Sequence, residues 1–461
     1  MTHQIPVQQL DPPARPAASK IQPRSFTGRY RRIRLLGGGL LLSLYFGAVW
    51  VQWNGQQAIL WDLGQRQFRV FGQTFWPQDL VLLSGILIVC AFGLFFMTVF
   101  AGRIWCGYSC PQSVWTWMFL WLEKIAEGDR NQRLRLDRAP LSPSKVLKRL
   151  NKHLLWLGLS LLTGLTFVGY FTPIRQLTTD LVTFEADGWG LFWVGFFTVA
   201  TYLNAGWLRE KVCFHMCPYG RFQSSMVDED TLLINYDRAR GETRGARKRG
   251  VDPAASGLGD CIDCQVCVQV CPTGIDIRNG LQMECIGCAA CIDACDDIME
   301  KMGYQTGLIS YTSERALNGG KASRVLRPRL VGYGLVLVVM VSALAWGFWS
   351  RPLVDLSVAK GRGLFRYDTE GRVENSYLLK LTNKDQVARE FVVSVTGPDG
   401  LAVTGARQVR VPAGSMKEFP MILALAPGQL NRQAEVQFVV GASSDGTQLQ
   451  TVDSLLTGPA R

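Results

Sequence analysis

The chain has 461 residues, a formal net charge of +12 and a hydrophobic fraction of 48%. Its length predicts about two to four structural units. Its apolar residues gather in five runs of about 20 residues without Asp, Glu, Lys or Arg, and charge-free runs of this length argue against a wholly soluble protein.

The N-terminal residues 1–34 are predicted to form a disordered, basic tail. The first 23 residues are polar and rich in proline, and five arginines lie between residues 24 and 34. No cleavable signal sequence is visible, so the first apolar run is expected to remain as a membrane anchor.

Four predicted membrane spans and their loops occupy residues 35–210, and a fifth span occupies residues 330–349. The loops after the second and fourth spans are rich in Lys and Arg, whereas loops 54–78 and 173–188 carry few. Because positively charged loops stay in the cytoplasm, this distribution predicts a cytoplasmic N-terminus, five crossings and a C-terminus outside. The spans are placed at Leu35–Trp53, Leu80–Phe100, Leu154–Thr172, Trp189–Leu208 and Leu330–Trp349.

The same distribution accounts for the net charge without a nucleic-acid partner. The most basic stretch, Arg244–Gly250, has the sequence RGARKRG and is interpreted as a solvated linker. Of the thirteen cysteines, twelve fall on segments with a predicted cytoplasmic location, and Cys90 lies within a span, where we expect a core residue. Thiols confined to a reducing compartment suit metal ligation rather than a disulfide framework.

A Cys-x3-Cys-Pro sequence follows the second span and occurs again after the fourth. The first stretch is AGRIWCGYSCPQS, Ala101–Ser113, and the second is REKVCFHMCPYGR, Arg209–Arg221. If each pair lies on one helix, its cysteines share a face about 6 Å apart at Cβ, which suits a shared soft metal better than a disulfide. Both pairs reach the same membrane face, so we expect one four-thiolate site, with the prolines bending the chain. Its members are Cys106, Cys110, Cys213 and Cys217.

Several alternatives are open for this four-cysteine set. Four thiolates also suit a structural Zn site or a further iron–sulfur cluster, and two separate pairs could carry out dithiol chemistry. Met216 could add a thioether ligand, although packing is the simpler interpretation, and His215 could be a ligand, a proton donor or a surface residue. The chain has only three histidines and none lies inside a span, so no intramembrane haem is expected.

The apolar run after the first cysteine pair is SVWTWMFLWL, Ser113–Leu122. It is too short to cross a bilayer, so it is predicted to form an interfacial or re-entrant helix with its tryptophans at the headgroup level. A membrane-surface anchor is favoured over the wall of a quinone site.

Residues 211–329 contain the strongest motif, CIDCQVCVQVCPTGIDIRNGLQMECIGCAACIDACD. Two four-cysteine runs share x2, x2, x3 spacing, and Pro272 follows the first run where Asp296 follows the second. Bacterial ferredoxins with two [4Fe–4S] clusters have this spacing, and the fourth cysteine of each run ligates the other cluster. A pair of Zn sites is the alternative. The predicted ligand sets are Cys261, Cys264, Cys267 and Cys295 for one cluster and Cys285, Cys288, Cys291 and Cys271 for the other.

The chain resembles the CcoG/FixG/RdxA family of membrane iron–sulfur proteins that assist assembly of cbb3-type cytochrome oxidase. The segments CPYGRFQSSM, INYDRARGE and GLISYTS carry the resemblance together with the cysteine runs, and it extends from Phe26 to the C-terminus. It implies a multi-pass protein of the bacterial inner membrane that reduces Cu(II) to Cu(I) for the oxidase. The family shares its membrane part with NapH- and NosR-like proteins, which resemble quinol-side electron-transfer modules.

Residues 350–461 have the pattern of short strands separated by Gly, Pro and Asn turns. This pattern predicts an immunoglobulin-like β-sandwich, which the resemblance also implies. The segment has no Cys or His, and its methionines are Met416 and Met421, so a copper site is not expected there. A role in docking to the oxidase or to its assembly factors is expected instead.

The predicted fold is thus a polytopic α-helical membrane protein with a cytoplasmic dicluster ferredoxin domain and an outer, periplasmic β-sandwich. The predicted function is electron transfer from the two clusters to a copper ion at the four-cysteine set. No Rossmann fingerprint or flavin motif is present, so a separate protein or small reductant must supply electrons. One alternative is a quinol-linked carrier without copper affinity, and another is an assembly scaffold or redox sensor without copper chemistry.

Overall fold

The computed structural model describes residues 20–253, 257–319, 324, 326–361, 363–426, 429–430, 432–442 and 448–459. The chain divides into two compact units. The first is formed by Met1–Val51 and Ser84–Leu344, and the second by Gln52–Leu83 and Ala345–Arg461. Residues 1–19 of the predicted disordered tail lie outside the described residues.

The first unit is mainly helical. A π-helical turn, Tyr202–Leu208, continues its eighth helix, and a second such turn spans Val212–Met216. The helices of the chain are α1 Arg29–Ala48, α2 Leu80–Ala101, α3 Ile104–Tyr108, α4 Pro111–Glu127, α5 Arg130–Arg138, α6 Pro143–Gly169, α7 Ile174–Val182, α8 Gly188–Thr201, α9 Pro218–Phe222, α10 Arg238–Gly241, α11 Val266–Gln269, α12 Ala290–Met302, α13 Glu314–Gly319 and α14 Pro328–Trp349.

The second unit is built from strands, and one further strand pair lies in the first unit. The strands are β1 Gln52–Trp53, β2 Gln56–Gln57, β3 Ile59–Asp62, β4 Gln67–Val70, β5 Gln73–Phe75, β6 Leu233–Tyr236, β7 Ile309–Thr312, β8 Val354–Lys360, β9 Arg366–Tyr367, β10 Val373–Asn383, β11 Arg389–Thr396, β12 Ala402–Gly405, β13 Gln408–Val411, β14 Met416–Leu425, β15 Gln433–Ala442 and β16 Gln448–Thr457.

Four helical segments among the described residues are long and apolar enough to cross a membrane, and they correspond to the second to fifth predicted spans. They are Pro77–Ala101, Pro143–Gly169, Gly188–Leu208 and Pro328–Trp349. The first predicted span coincides with α1, whose first turns carry four arginines and which is not among these four. The predicted end of that span at Trp53 is wrong, because α1 ends at Ala48 and β1 follows. The count of five spans stays a prediction.

The chain before α1 has a defined structure from Lys20 onward, whereas disorder was predicted as far as residue 34. The backbone N–H and the hydroxyl of Ser25 donate to the Asp129 carboxylate at 3.0 and 2.9 Å. The Asp293 carboxylate accepts from two N–H groups in the first turn of α1 at 3.1 and 2.7 Å, which satisfies donors that have no partner within the helix. These partners are remote in sequence, so the local composition could not indicate them.

Helices α6 and α8 pack together through small residues. The Ser142 hydroxyl accepts from the backbone N–H of Lys145 and caps α6. At Gly164 of α6, an added Cβ would lie 2.9 Å from both the Thr198 nitrogen and the Val194 oxygen of α8. Glycine therefore permits an approach between the two backbones that any larger residue would block.

The second unit is a β-sandwich, as predicted. One antiparallel sheet has the order β12-β14-β10-β8, with β9 paired to β10, and the other has the order β13-β11-β15-β16. Along β10, buried Tyr377, Leu379 and Leu381 alternate with more exposed residues, which is the pattern of a strand with one face on a core. The opposite sheet contributes Phe391, Val393, Phe438 and Val440 to this core.

The loop between α1 and α2 belongs to the second unit. Its strands β3, β4 and β5 form a small antiparallel sheet. Asp79, at the end of the loop, accepts a hydrogen bond from Lys384 at 2.9 Å and lies 3.3 Å from the Arg351 guanidinium. All three side chains are buried, so losing one partner would leave an uncompensated charge. These ion pairs fix the loop on the sandwich.

Candidate metal centres

The two cysteine runs share one backbone conformation. On either side of the second cysteine, φ is positive: 50° at Asp263 and 55° at Gln265 in the first run, 64° at Gly287 and 57° at Ala289 in the second. A helix then begins at the next residue, α11 in one run and α12 in the other. Left-handed non-glycine residues cost roughly 1–2 kcal/mol each, so matching positions indicate a structural repeat rather than coincidence.

Electrostatic influences connect thiols of one run with thiols of the other, which is compatible with the predicted exchange of the fourth cysteine. Burial raises the pKa of the Cys295 thiol, and the three first-run members of its set raise it further. Burial also raises the pKa of Cys291, and Cys288, Cys285, Cys271 and Cys267 raise it further. We call the predicted ligands Cys261, Cys264, Cys267 and Cys295 the first set, and Cys271, Cys285, Cys288 and Cys291 the second set. The two ligand sets and metal ligation stay predictions.

The donor chemistry of both sets fits iron–sulfur clusters. All thirteen cysteines are free thiols. As the side chains stand, no three Cys, His, Asp or Glu residues in the described part of the chain converge closely enough to hold a metal ion. The assignment of ligands therefore depends on spacing, on the backbone repeat and on the small buried residues Ala289, Ala290 and Ala294 around the thiols. A metal that binds these thiols must displace their protons, which couples binding to pH.

Arg278 fixes the loop of the first set. Its guanidinium donates to Asp263 at 2.6 Å and to Asp276 at 2.7 Å. Burial raises the pKa of the Cys267 thiol to about 12, and the charge of Arg278 acts in the opposite direction. The sequence motif gave no sign of this arginine, because it lies between the two runs and not within either.

The membrane-edge pairs also share a backbone conformation, but it is not the continuous helix that their spacing predicted. Cys106 lies in α3, whereas Cys110 is extended and directly precedes α4. Cys213 lies in a π-helical turn, and Cys217 is extended before α9. In each pair the N–H of the second cysteine donates, at 2.9 Å, to the carbonyl of the residue before the first cysteine. The helical prediction fails because a residue that precedes proline is sterically driven out of the helical region.

The structure brings the two membrane-edge pairs together. Burial raises the pKa of Cys106 to about 12, with Cys110, Cys213 and Cys217 adding to the rise and Arg103 opposing it. Burial raises the pKa of Cys213 to about 11, and Cys110 and Cys217 are the next largest influences. The four thiols therefore lie in one region of the chain, although no three of them converge closely enough to hold a metal ion in their present side-chain conformations. We call these four residues the membrane-edge set.

Hydrogen bonds from half-buried polar side chains to backbone carbonyls hold the membrane-edge set in place. The Gln112 side chain, next to the proline of the first pair, donates to the carbonyls of Asn204 and Arg209 at 3.0 and 3.1 Å. Arg103 donates to the Gly220 carbonyl at 2.8 Å. Each pair is therefore tied to the chain that carries the other pair, by residues that lie outside the motif and were not predicted.

Glu123, near the C-terminal end of α4, also anchors the membrane-edge set. It is 1% exposed, and its carboxylate lies 2.7 Å from Lys20, 2.7 Å from Arg209 and 2.9 Å from Arg133. Burial alone would raise the pKa of this carboxyl, but Arg209 and Lys20 outweigh it and lower the pKa to about 2. Since Arg209 begins the second cysteine stretch, this buried ion cluster connects α4 to Cys213 and Cys217.

The membrane-edge set lies against the second cysteine set. Cys106 packs on a cluster that includes Ile286 and Cys288. At Gly107, an added Cβ would lie 2.7 Å from the Gly287 oxygen and 2.8 Å from the Cys288 Cα. Arg103 also donates to the Cys285 carbonyl at 3.2 Å. The loop that joins Cys106 to Cys110 is therefore in van der Waals contact with the backbone at Cys288.

Other residues singled out by the sequence take no visible part in these sets. His215 is exposed, and Met216 is 64% exposed, so Met216 is not a buried packing residue. The expectation that Cys90 is a core residue is wrong, because it is exposed on α2, where a membrane-facing surface is apolar as well. The run Ser113–Leu122 is helical within α4, which is 17 residues long. Its position relative to the membrane stays a prediction.

Two parts of the chain match known families. Residues 208–314 match the family described as a 4Fe-4S dicluster domain. This match supports iron–sulfur clusters over zinc. Residues 344–459 match the family described as an IG-like fold at the C-terminal of FixG, putative oxidoreductase. The match agrees with the immunoglobulin-like prediction for the sandwich.

Three relatives are similar over most of the chain. Nitrogen fixation protein FixG of Rhizobium meliloti is 38% identical over 415 residues, which are 82% of this chain and 79% of that protein. Protein RdxB of Cereibacter sphaeroides is 37% identical over 445 residues, 94% of this chain and 91% of its own. Protein RdxA of the same organism is 38% identical over 413 residues, 86% of each chain. With its dicluster domain and apolar helices, the chain belongs to the FixG, RdxA and RdxB family of iron–sulfur electron-transfer proteins of the membrane.

Proposed function

We propose that this protein reduces Cu(II) to Cu(I) for the assembly of a cbb3-type cytochrome oxidase. The electron-transfer role follows from the family, and the copper chemistry is the added step. The observation that carries it is the contact between the first membrane-edge pair and the second cysteine set: Cys106 packs on the cluster that contains Cys288, and Gly107 lies against the Cys288 backbone. A group of thiols beside an electron-transfer centre is suited to a soft metal that changes oxidation state.

The two predicted ligand sets would hold the [4Fe–4S] clusters. When bound, each cluster supplies one-electron storage and release. The protein contributes burial of the thiols, the repeated left-handed turns and the Arg278 clamp. Cys288 belongs to the set that Cys106 contacts, so the second set is the proposed point of electron exit.

Copper is the proposed substrate at the membrane-edge set. Cys106, Cys110, Cys213 and Cys217 would bind it, because thiolates favour Cu(I) over Cu(II). Cu(II) accepts one electron and is released as Cu(I), so no covalent bond of the protein is formed or broken. Cys110 directly precedes the N-terminus of α4, whose partial positive charge favours a negatively charged thiolate–metal complex.

We place the N-terminus and all three cysteine sets in the cytoplasm and the C-terminal sandwich in the periplasm of a bacterial inner membrane. The charge distribution of the loops supports this orientation. The start of α1 is capped by Asp293 of the cysteine-rich part, and the loop after α1 is fixed on the sandwich through Asp79. Both contacts support α1 as a fifth span. The sandwich would dock to the oxidase or to an assembly factor.

The test is copper reduction by the full-length protein with its clusters reduced under anaerobic conditions. Cu(II) is added, and Cu(I) formation and cluster reoxidation are followed together by stopped-flow spectroscopy. The wild type is compared with the variant in which Cys106, Cys110, Cys213 and Cys217 are all replaced by serine. Cys90→Ser is the matched control, because Cys90 is an exposed thiol outside the three sets.

We expect rapid Cu(I) formation in the wild type and the control, and loss of it in the fourfold variant with the iron content of both clusters retained. Equal rates in all three proteins would mean that copper oxidises the clusters without a dedicated site, and would overturn the proposal. Additional iron and sulfide bound at the membrane-edge set, without copper affinity, would also overturn it in favour of a third cluster.

A further inference from the structure

A cavity of about 300 Å³ lies between α1, α4 and the chain segment before α1. Its apolar wall is formed by Gly38, Gly39 and Leu42 of α1 and by Val114, Met118 and Trp121 of α4. Its other end is lined by basic side chains. The cavity is therefore an amphipathic slot, located where the basic start of α1 gives way to its apolar run.

Arg34 is the unusual residue in this cavity. Only 7% of its surface is exposed, and both terminal guanidinium nitrogens are buried without a hydrogen-bond partner. The guanidinium lies 4.3 Å from the ring centroid of Trp117 and 5.6 Å from that of Phe26. Aromatic faces attract the charge but leave its donors unsatisfied, and a buried guanidinium without an acceptor is costly. The site therefore lacks an oxygen acceptor for these two nitrogens.

The charges around the cavity indicate that this acceptor is an anion. Besides Arg34, the side chains of Arg24, Arg31 and Lys124 line the cavity, and none of the four forms an ion pair within the described residues. Asp129 is the carboxylate of the lining, and it already accepts two hydrogen bonds from Ser25. One carboxylate cannot neutralise four cations. A neutral ligand such as a quinone headgroup would leave the excess charge uncompensated.

The apolar end of the slot has room for a hydrocarbon chain. A Cβ added at Gly39 would meet no atom within 4 Å, and one added at Gly38 would only touch Val114 at 3.9 Å. Two adjacent glycines on the helix surface thus leave an open groove beside α4. A groove with an anion site at its head matches the shape and charge of an anionic phospholipid of the cytoplasmic leaflet.

We propose that this cavity binds an anionic glycerophospholipid, with its phosphodiester on Arg34 and one acyl chain in the groove between α1 and α4. Arginine can donate two parallel hydrogen bonds to phosphate oxygens, which would satisfy both unpaired nitrogens. Gly107 and Tyr108 also line the cavity, so the bound lipid would pack beside the loop that joins Cys106 to Cys110. The site is separate from the proposed copper chemistry and does not depend on it.

The test is native mass spectrometry of the full-length protein, delipidated in detergent and titrated with phosphatidylglycerol or phosphatidylcholine. We expect one tight phosphatidylglycerol site in the wild type. Arg34→Gln should weaken it by about tenfold or more, because a charge-assisted contact to phosphate is lost. Gly39→Leu fills the groove without touching the cations and should weaken binding as well. Gly37→Leu is the matched control, since it also faces open space but does not line the cavity.

Each alternative occupant has a distinct result, and each would overturn the proposal. Equal affinity for phosphatidylcholine would show that the charge has no role. Competition by glycerol 3-phosphate at the lipid's own affinity, with no effect of Gly39→Leu, would indicate a site for free phosphate. Tight binding of ubiquinone in place of phosphatidylglycerol would indicate a quinone site. If Arg34→Gln fails to fold, unchanged binding in Gly39→Leu still refutes the acyl groove.

Discussion

The two cysteine runs and the membrane-edge set are both internal repeats, but they are assembled from different lengths of chain. The runs lie within one continuous stretch, Cys261–Cys295, and each turn carries its own left-handed residues. The membrane-edge set joins two segments that are separated by helices α4 to α8. Each of its pairs has a local conformation set by a proline and one backbone hydrogen bond. A group of four thiols forms only when the two pairs come together.

This difference shows where supporting residues are needed. A short turn can place several ligands by its own dihedral angles, so the cysteine runs need few external contacts. Two remote segments must be held together by other side chains, and here Gln112, Arg103 and the Glu123 ion cluster do so. We therefore expect substitutions in those side chains to affect the membrane-edge set while the cysteine runs remain intact.

The largest expected effect is the loss of one cluster. It tests whether the fourth cysteine of each run ligates the cluster of the other run. Cys271→Ser should remove the cluster of the second set and leave the other, so iron per protein should fall by about half. The electron paramagnetic resonance spectrum of the reduced variant should match that of Cys288→Ser and differ from that of Cys264→Ser. A spectrum that matches Cys264→Ser instead would show that each run ligates its own cluster.

The next effect concerns the anchor of the membrane-edge set. Glu123→Gln leaves Lys20, Arg133 and Arg209 without their shared carboxylate, and breaking a buried ion pair costs about 3–5 kcal/mol. Chemical unfolding in detergent should report this loss in the free energy of unfolding. Asp297→Asn removes an exposed i,i+4 pair with Lys301 and should change it by less than about 0.5 kcal/mol.

Glu123→Gln also tests whether the membrane-edge set and the cysteine runs are structurally independent. In Glu123→Gln, we expect faster alkylation of Cys213 and Cys217 while both clusters keep their iron. Parallel loss of cluster iron would show that the membrane-edge set and the cysteine runs form one cooperative structure, contrary to the distinction drawn from their contacts.

Low pH should weaken the ion cluster around Glu123. The pKa of Glu123 is lowered from 4.5 to about 2 in the folded protein, so its contribution is complete above the unfolded value and declines as pH falls through about 2. The shift corresponds to roughly 3 kcal/mol. The difference in unfolding free energy between wild type and Glu123→Gln should therefore shrink as the pH is lowered below about 4.5. A difference that stays constant down to about pH 3 would assign the effect of the substitution to packing.

The smallest effect probes the contact between the two regions. Gly107→Ala introduces a Cβ that would lie 2.7 Å from the Gly287 oxygen, so the loops must move apart. The four thiols are unchanged, and we expect Cu(I) formation to slow by about tenfold or less, through a change in barrier of roughly 1 kcal/mol. Gly93→Ala in α2 meets no atom within 4 Å and serves as the control. Unchanged kinetics in Gly107→Ala would argue against electron transfer across this contact.

Much of the fold could be predicted because its signals are local. Four of the predicted spans coincide with long apolar helices, since a bilayer requires an uninterrupted apolar run. The short strand-like segments between Gly, Pro and Asn turns predicted the β-sandwich, which is observed. Errors occurred where remote contacts compete with local pattern: residues 20–34 are held by Asp129 and Asp293, and α1 stops at Ala48 where β1 begins.

The sequence by itself determined the chemical groups: eight cysteines at cluster spacing, two Cys-x3-Cys-Pro stretches and the apolar runs that place them at a membrane edge. Only the tertiary structure decided that the two stretches meet, that their second cysteines leave the helix before proline, and that Cys106 packs on the cluster that contains Cys288. Spacing along the chain fixes the geometry within a turn. The approach of separate turns depends on polar side chains such as buried Glu123 and half-buried Gln112, whose partners are distant in sequence.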